Sequence, residues 1–177
     1  MILETKRLAL REMGQADLPA LAAILQDEQA MYAYGSAFTD EETQDWLDRQ
    51  LTRYKEDGFG LWAVILKESG EMIGQAGITW QDVDGERVPE IGYLFNRACW
   101  GNGYAVEAAA ACRQYAFGKP GLGEIYSIIR DGNIPSMNVA IRTGMVIRKR
   151  TLRHYRGVDM QHYVFSVRKS GQNGDES

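Results

Sequence analysis

Gly101 and Gly103 stand one residue apart where a strand-like run gives way to a strong helix-forming stretch, Tyr104-Ala-Val-Glu-Ala-Ala-Ala-Ala. Glycine reaches backbone angles closed to other residues and lets a ligand come close to the main chain. The first N–H groups of the helix beyond have no partners within it, and the helix dipole adds partial positive charge there. That combination is an anion site, most often for phosphate. A P-loop is excluded in simple form, because no Gly-Lys-Ser/Thr follows the glycines. The dinucleotide fingerprint fits poorly, since Val106 occupies the third glycine position and the preceding strands read as antiparallel.

The elements that must position this turn are legible from periodicity. Leu8-Ala-Leu-Arg reads as an opening strand, and Gln15 or Asp17 starts a helix with its stripe at Leu18, Leu21, Ile24 and Leu25. Thr39 with Glu42 forms a capping box for a second helix, whose stripe is Trp46, Leu47, Leu51 and Tyr54 and which ends near Gly58. Between them lies the aromatic but irregular loop Met31 to Phe38, either a pocket wall or core packing. Leu61 to Lys67, Met72 to Trp80 and Pro89 to Phe95 form an antiparallel meander with tight turns. The alanine-rich helix then runs to about Phe117, followed by a strand from Glu124 to Arg130. A short helix spans Asn133 to Thr143, with Gly144 at its C-terminal end. Strands from Met145 to Arg150 and Gln161 to Arg168 close the chain, and a polar tail covers 171–177.

The chain has 177 residues, enough for one well-cored domain, expected over 1–170. A net charge of −4 lacks the basic footprint of nucleic-acid binding. The run Arg148-Lys149-Arg150, with Arg153 and Arg156, reads as a solvated strand face. No apolar stretch approaches the ~20 residues that span a membrane, and no signal-peptide core opens the chain. Cys99 and Cys112 have no metal-ligand spacing and form no disulfide framework. Cys112 falls on the small-residue face of its helix and reads as a buried free thiol. The expectation is a reduced, cytoplasmic setting with no metal site.

In this order the segments resemble the GCN5-related N-acetyltransferases (GNAT), and within them the RimJ/RimL-like branch that acetylates N-termini of ribosomal proteins. Three segments carry the resemblance: Glu4-Thr-Lys-Arg-Leu-Ala-Leu-Arg, Ile91-Gly-Tyr with Trp100-Gly-Asn-Gly-Tyr-Ala-Val-Glu-Ala, and Asn133-Ile-Pro-Ser-Met-Asn-Val-Ala-Ile-Arg-Thr-Gly-Met. It extends to about Arg168. The resemblance implies an α/β (α+β) fold: a mixed, mostly antiparallel sheet of about six to seven strands flanked by about four helices. That sheet splays between its two central parallel strands. It further implies acetyl-CoA as cofactor and an amine acceptor, a peptide N-terminus or a small molecule, with homodimerisation common. The family's pyrophosphate motif falls on Trp100, Gly103 and Ala105, with Trp100 replacing a polar residue. The phosphate grip is therefore expected from backbone N–H groups of Gly101, Asn102, Gly103, Tyr104 and Ala105, with little side-chain charge nearby and an added amide from Asn102.

By the same resemblance, the pantetheine arm pairs with backbone of Leu94 and Phe95 like an added strand. The N–H of Phe95 or its neighbour polarises the thioester carbonyl. Glu90, just before Ile-Gly-Tyr, becomes the candidate general base through a water. A solvated strand-end carboxylate is the alternative. Asn133 and Ser136 match the family's pantetheine-orienting and sulfur-side positions, and Ser136 is the candidate donor to the departing thiolate; helix capping competes for both residues. Asn138 is a further contact candidate. Tyr155 and His162 read as structural. Against the transferase reading stand a non-catalytic acyl-CoA-binding module and, less consistent with the strand order, a dinucleotide oxidoreductase.

Overall fold

Alternating apolar residues and tight turns build the central sheet of this molecule, a computed structural model that describes residues 1–170. The expected 171–177 tail lies outside the described residues. Eight strands form one sheet: β1 (Leu3–Glu4), β2 (Leu8–Arg11), β3 (Leu61–Leu66), β4 (Met72–Val83), β5 (Glu86–Phe95), β6 (Glu124–Arg130), β7 (Val146–Tyr155) and β8 (Val158–Arg168). Their order is β1-β2-β3-β4-β5-β6-β8-β7, and β5–β6 is the parallel pair among otherwise antiparallel neighbours. The eighth strand, beyond the six to seven expected, is the short β1, which pairs Leu3 with Leu10 and Glu4 with Ala9.

Two hairpins are longer than the sequence suggests. Asp84 and Gly85 both adopt positive φ, 53° and 88°, as a two-residue primed turn requires, so β4 and β5 stay paired to Val83↔Glu86. Arg156 and Gly157, at 52° and 80°, do the same for β7 and β8, which pair to Tyr155↔Val158. The two hairpins meet: Lys149 Nζ and Thr151 Oγ1 of β7 each reach a carboxylate oxygen of Asp84, in the β4–β5 turn, at 2.7 Å.

Helices cover both faces. The helices α1 (Leu18–Leu25) and α2 (Asp40–Glu56) pack their Leu21, Leu25, Trp46 and Leu47 against Leu61 and Ala63 of β3. A 3-10 turn at Gln15–Asp17 precedes α1, and the Thr39–Glu42 capping box opens α2 as read. On the opposite face, α3 (Tyr104–Phe117) and α4 (Ile134–Arg142) pack on Trp62, Ile78, Ile91, Phe95 and Ile125. Ala108, Ala109, Cys112 and Ala116 give α3 a thin buried edge, so the helix axis lies close to the sheet. Burial pushes the Cys112 thiol up to about 12, a packing role rather than a nucleophilic one.

Candidate active site

The parallel ladder between β5 and β6 is one register pair long, Glu90↔Tyr126. Two side chains then take over from the backbone. The Ser127 hydroxyl donates to the Ile91 carbonyl at 2.8 Å, and the Glu90 carboxylate accepts the Ile128 N–H at 3.0 Å. Both groups would otherwise be ladder partners left without a bond, a cost of ~1–3 kcal/mol each when buried. With them satisfied, the strands can part beyond Ile91 without an orphaned edge. No local pattern marks Ser127, whose role depends on β6 lying beside β5.

Which backbone groups face the opening follows from the β4–β5 register. Asn96 N–H donates to Ile73 O at 2.9 Å and Leu94 is paired with Gln75. Antiparallel alternation therefore turns the N–H and C=O of Leu94 toward β4 and those of Tyr93 and Phe95 toward the gap. That corrects the expectation of ligand pairing at Leu94. The Phe95 carbonyl already accepts the Trp100 indole N–H at 3.0 Å, leaving the Phe95 N–H on the open side. Trp100, expected at the phosphates, thus ties the glycine turn to the end of β5.

Glu90 lies on the α1/α2 side of the sheet, half-buried, opposite Thr79 of β4. Burial pushes its pKa up to about 7; Arg153, the Ile128 N–H and Arg53 pull the other way without cancelling it. A carboxyl group poised there can take a proton at neutral pH. It is therefore no solvated strand end. Around it gather residues from distant segments. Gln81 bridges Thr79, to whose Oγ1 it donates at 3.1 Å, and Arg153 of the β7–β8 hairpin, which donates to Gln81 Oε1 at 3.1 Å. The Tyr34 ring packs edge-on against Trp46 and Tyr155, each at 6.0 Å between centroids. Burial and the nearby Glu90 push the Tyr34 hydroxyl well above the usual phenol range. In the Met31–Phe38 loop, Met31 and Phe38 enter the core, while Tyr34 stands on the Glu90 side as an aromatic wall. Tyr155 joins that wall. His162, whose Nδ1 lies 2.9 Å from Met160 O, is held by its own strand, and burial pushes its pKa down.

At the glycine turn, Gly101 and Gly103 have φ of 79° and 77°, and Gly103 caps α3 without any side-chain acceptor. The first N–H groups of α3 are therefore free of a side-chain cap. The Asn102 amide is spent internally, its Nδ2 donating to Cys99 O and Trp100 O at 3.1 and 3.2 Å. The expectation of little side-chain charge is wrong here. Arg7 donates to Asn102 O at 2.9 Å, lies 4.5 Å above the Tyr104 ring, and sits 3.6 Å from where a Cβ on Gly103 would be. Glu107, one turn into α3, accepts from Arg7 Nε at 2.7 Å, Arg7 N–H at 2.9 Å and Thr5 Oγ1 at 2.6 Å. Burial alone would raise the Glu107 pKa, but these donors hold it below the usual range. The opening Glu4-Thr-Lys-Arg segment thus braces the glycine turn; only its spacing from Glu107, across 100 residues, hid this.

On α4, Asn133 is the N-cap, its Oδ1 accepting the Ser136 N–H at 3.3 Å, with Pro135 in the first turn. The Tyr93 hydroxyl donates to Ser136 O at 2.6 Å, which draws the start of α4 over the strand that borders the gap. Ser136 is half-buried there, whereas Asn138 faces solvent. The structure therefore ties Ser136 to β5 through Tyr93 on the α3/α4 side, beside Phe95, while Glu90 stands at the end of the same ladder on the other face. Tyr93 was missed as a positioning residue, though it stands three residues after Glu90 on the same strand.

A family model described as an acetyltransferase (GNAT) domain matches residues 7–146. The Bacillus subtilis protein YkkB is 38% identical over 144 residues, 81% of this chain and 84% of that protein. The N-acetyltransferase YnaD of Bacillus subtilis is 33% identical over 146 residues, 82% of each chain. Among solved structures, an acetyltransferase from Agrobacterium tumefaciens str. C58 is 30% identical, with a TM-score of 0.78 over 94% of both chains. RimL, a ribosomal L7/L12 alpha-N-protein acetyltransferase solved in complex with coenzyme A, shares the fold at 16% identity, with a TM-score of 0.75 over 94% of this chain and 97% of that one.

Proposed function

The chain belongs to the GNAT acetyltransferase family, and we propose that it moves the acetyl group of acetyl-CoA onto a primary amine at the opening between β5 and β6. The observation that carries this reading is Glu90: a carboxyl group with its pKa pushed up to about 7, placed where the β5–β6 ladder ends. The opening segment Glu4–Arg11 aligns the chain with the RimJ/RimL-like branch, and residues 1–170 act as one domain.

The residues at the glycine turn fit a pyrophosphate. The first N–H groups of α3 have no side-chain cap, Gly101 and Gly103 take left-handed angles, and Arg7 lies beside Gly103. Acetyl-CoA supplies an acetyl thioester, whose carbonyl carbon bonds to the amine nitrogen as the carbon–sulfur bond breaks. Glu90 accepts the proton that the amine loses, directly or through a water. The Phe95 N–H, facing the gap, donates to the developing oxyanion, a contribution of ~3 kcal/mol for one such donor. Ser136 Oγ donates a hydrogen bond to the departing thiolate, which takes its proton from solvent. Tyr93 acts at one remove, holding the first turn of α4 through the Ser136 carbonyl.

Free-thiol release from acetyl-CoA in the presence of an amine panel tests this function. Amine-dependent thiol release is the expected result. Tight acetyl-CoA binding with no release on any amine would favour an acyl-CoA-binding module instead.

A further inference from the structure

The charges around Glu90 do not balance. Arg153 of β7 is linked to it through Gln81 and through Thr79, the β4 residue paired with Glu90, and Arg53 of α2 lies near enough to favour its charged form. Among the described residues neither has a carboxylate within the 4.0 Å of an ion pair. Arg153 is held by the neutral Gln81 at 3.1 Å, and Arg53 Nη1 donates to the neutral Gln50 Oε1 at 3.3 Å. Asp57, the other acid near Arg53, is engaged by Arg87 at 3.3 Å. Gln50 is fully buried and its Nε2 has no partner, so another donor without an acceptor lies beside Arg53.

Arg49 and Arg53 stand four residues apart on α2, where like charges repel. Arg53 is only part exposed, and burial together with Arg49 weakens its hold on the proton. A guanidinium placed this way wants an anion, and Glu90 is an incomplete one because burial favours its protonated form.

We propose that the acceptor is an anionic amine, with a carboxylate a few bonds from its reacting nitrogen, and that Arg53 and Arg153 bind that carboxylate while Glu90 receives the amine. The aromatic wall of Tyr34 and Tyr155 bounds the same space. This assignment rests on the acetyltransferase reading and narrows its acceptor. It opposes the cationic acceptor that the overall charge of −4 would suggest, because the local field differs in sign from the global one.

The test uses the full chain with acetyl-CoA and matched pairs: glycine, aspartate and glutamate against their carboxamides, peptides with acidic second and third residues against their amide counterparts, and spermidine. The carboxylate member of at least one set should lead in kcat/KM by about tenfold or more, the scale of a charged hydrogen-bonded contact. Which set leads tells a free amino acid from an acidic N-terminus. Arg53→Gln and Arg153→Gln should bring that ratio toward one while leaving the Kd for acetyl-CoA unchanged. Arg53→Lys and Arg153→Lys, which keep the charge, should retain the preference and cover any failure of the glutamine variants to fold. Amides or spermidine used equally well, or an unchanged ratio in both glutamine variants, would overturn the proposal. Calorimetry on coenzyme A-loaded protein reads the same pairs without turnover. Carboxylate-selective binding with no thiol release would sink the transferase reading and leave the anion site standing; thiol release without selectivity would do the reverse.

Discussion

Replacing Glu90 with glutamine should make the protein more stable above pH 7 and leave it unchanged in acid. Burial raises the carboxyl pKa from 4.5 to about 7. Below the ordinary carboxyl value both folded and unfolded chains hold the proton, and the site costs nothing. Between there and about pH 7 the unfolded chain releases its proton while the folded one keeps it. Stability is therefore lost as pH rises through that window, and the loss is complete above the folded pKa. At ~1.36 kcal/mol per pH unit the full loss is about 3 kcal/mol. Glutamine carries no proton to lose, and its Oε1 can still accept the Ile128 N–H. Glu90→Gln should gain ~1–3 kcal/mol over wild type at pH 8, or roughly 3–10 °C in Tm, and almost nothing at pH 4.5. Urea unfolding at both pH values, followed by tryptophan fluorescence, measures the difference. A variant equal to or less stable than wild type at pH 8 would show that the ionised Glu90 carboxylate costs the fold nothing. It would mean that Arg53 and Arg153 fully offset the burial of the carboxylate.

Three other outcomes follow from the same geometry. Ser127→Ala should lower stability by ~1–3 kcal/mol in urea unfolding, because the buried Ile91 carbonyl loses its hydroxyl partner where the ladder ends. Gly103→Val forces a branched side chain into a left-handed backbone at φ 77°, and acetyl-CoA affinity by calorimetry should fall by about tenfold or more. Arg7→Met leaves Glu107 and Asn102 O without their guanidinium partner; several-fold weaker acetyl-CoA binding with a stability change of only ~1 kcal/mol is expected, since Arg7 is part exposed. Stability loss without weaker binding would confine Arg7 to a structural brace.

Local signals carried much of the fold into the sequence. The Thr39–Glu42 box and the Asn133 cap each act within a few residues and appear where the sequence places them, and the Asp84-Gly85 turn is one of the tight turns of the meander. The Arg156-Gly157 turn lacks the Asn or Asp that usually marks a primed turn, so β7 and β8 were drawn too short. That shortfall hid the most consequential part of the site. Arg153 read as one more charge on a solvated strand, yet the long hairpin sets it against Gln81. The Arg7–Glu107 brace, Tyr34 and Arg53 escaped for the same reason: each comes from an element remote in sequence, and no spacing rule joins them. Glu90 was legible as a position, whereas its raised pKa depends on burial that only the packed sheet supplies.

If Glu90 is the base for acetyl transfer at the β5–β6 opening, the pH dependence of kcat/KM must carry its ionisation. With acetyl-CoA saturating, wild-type kcat/KM for the amine should rise through an ionisation near pH 7, on top of the amine's own deprotonation at higher pH. Glu90→Gln should lower the rate by ~100-fold or more and abolish that lower inflection while the higher one persists. An unchanged profile in the variant, at near wild-type rate, would show that Glu90 is not the base.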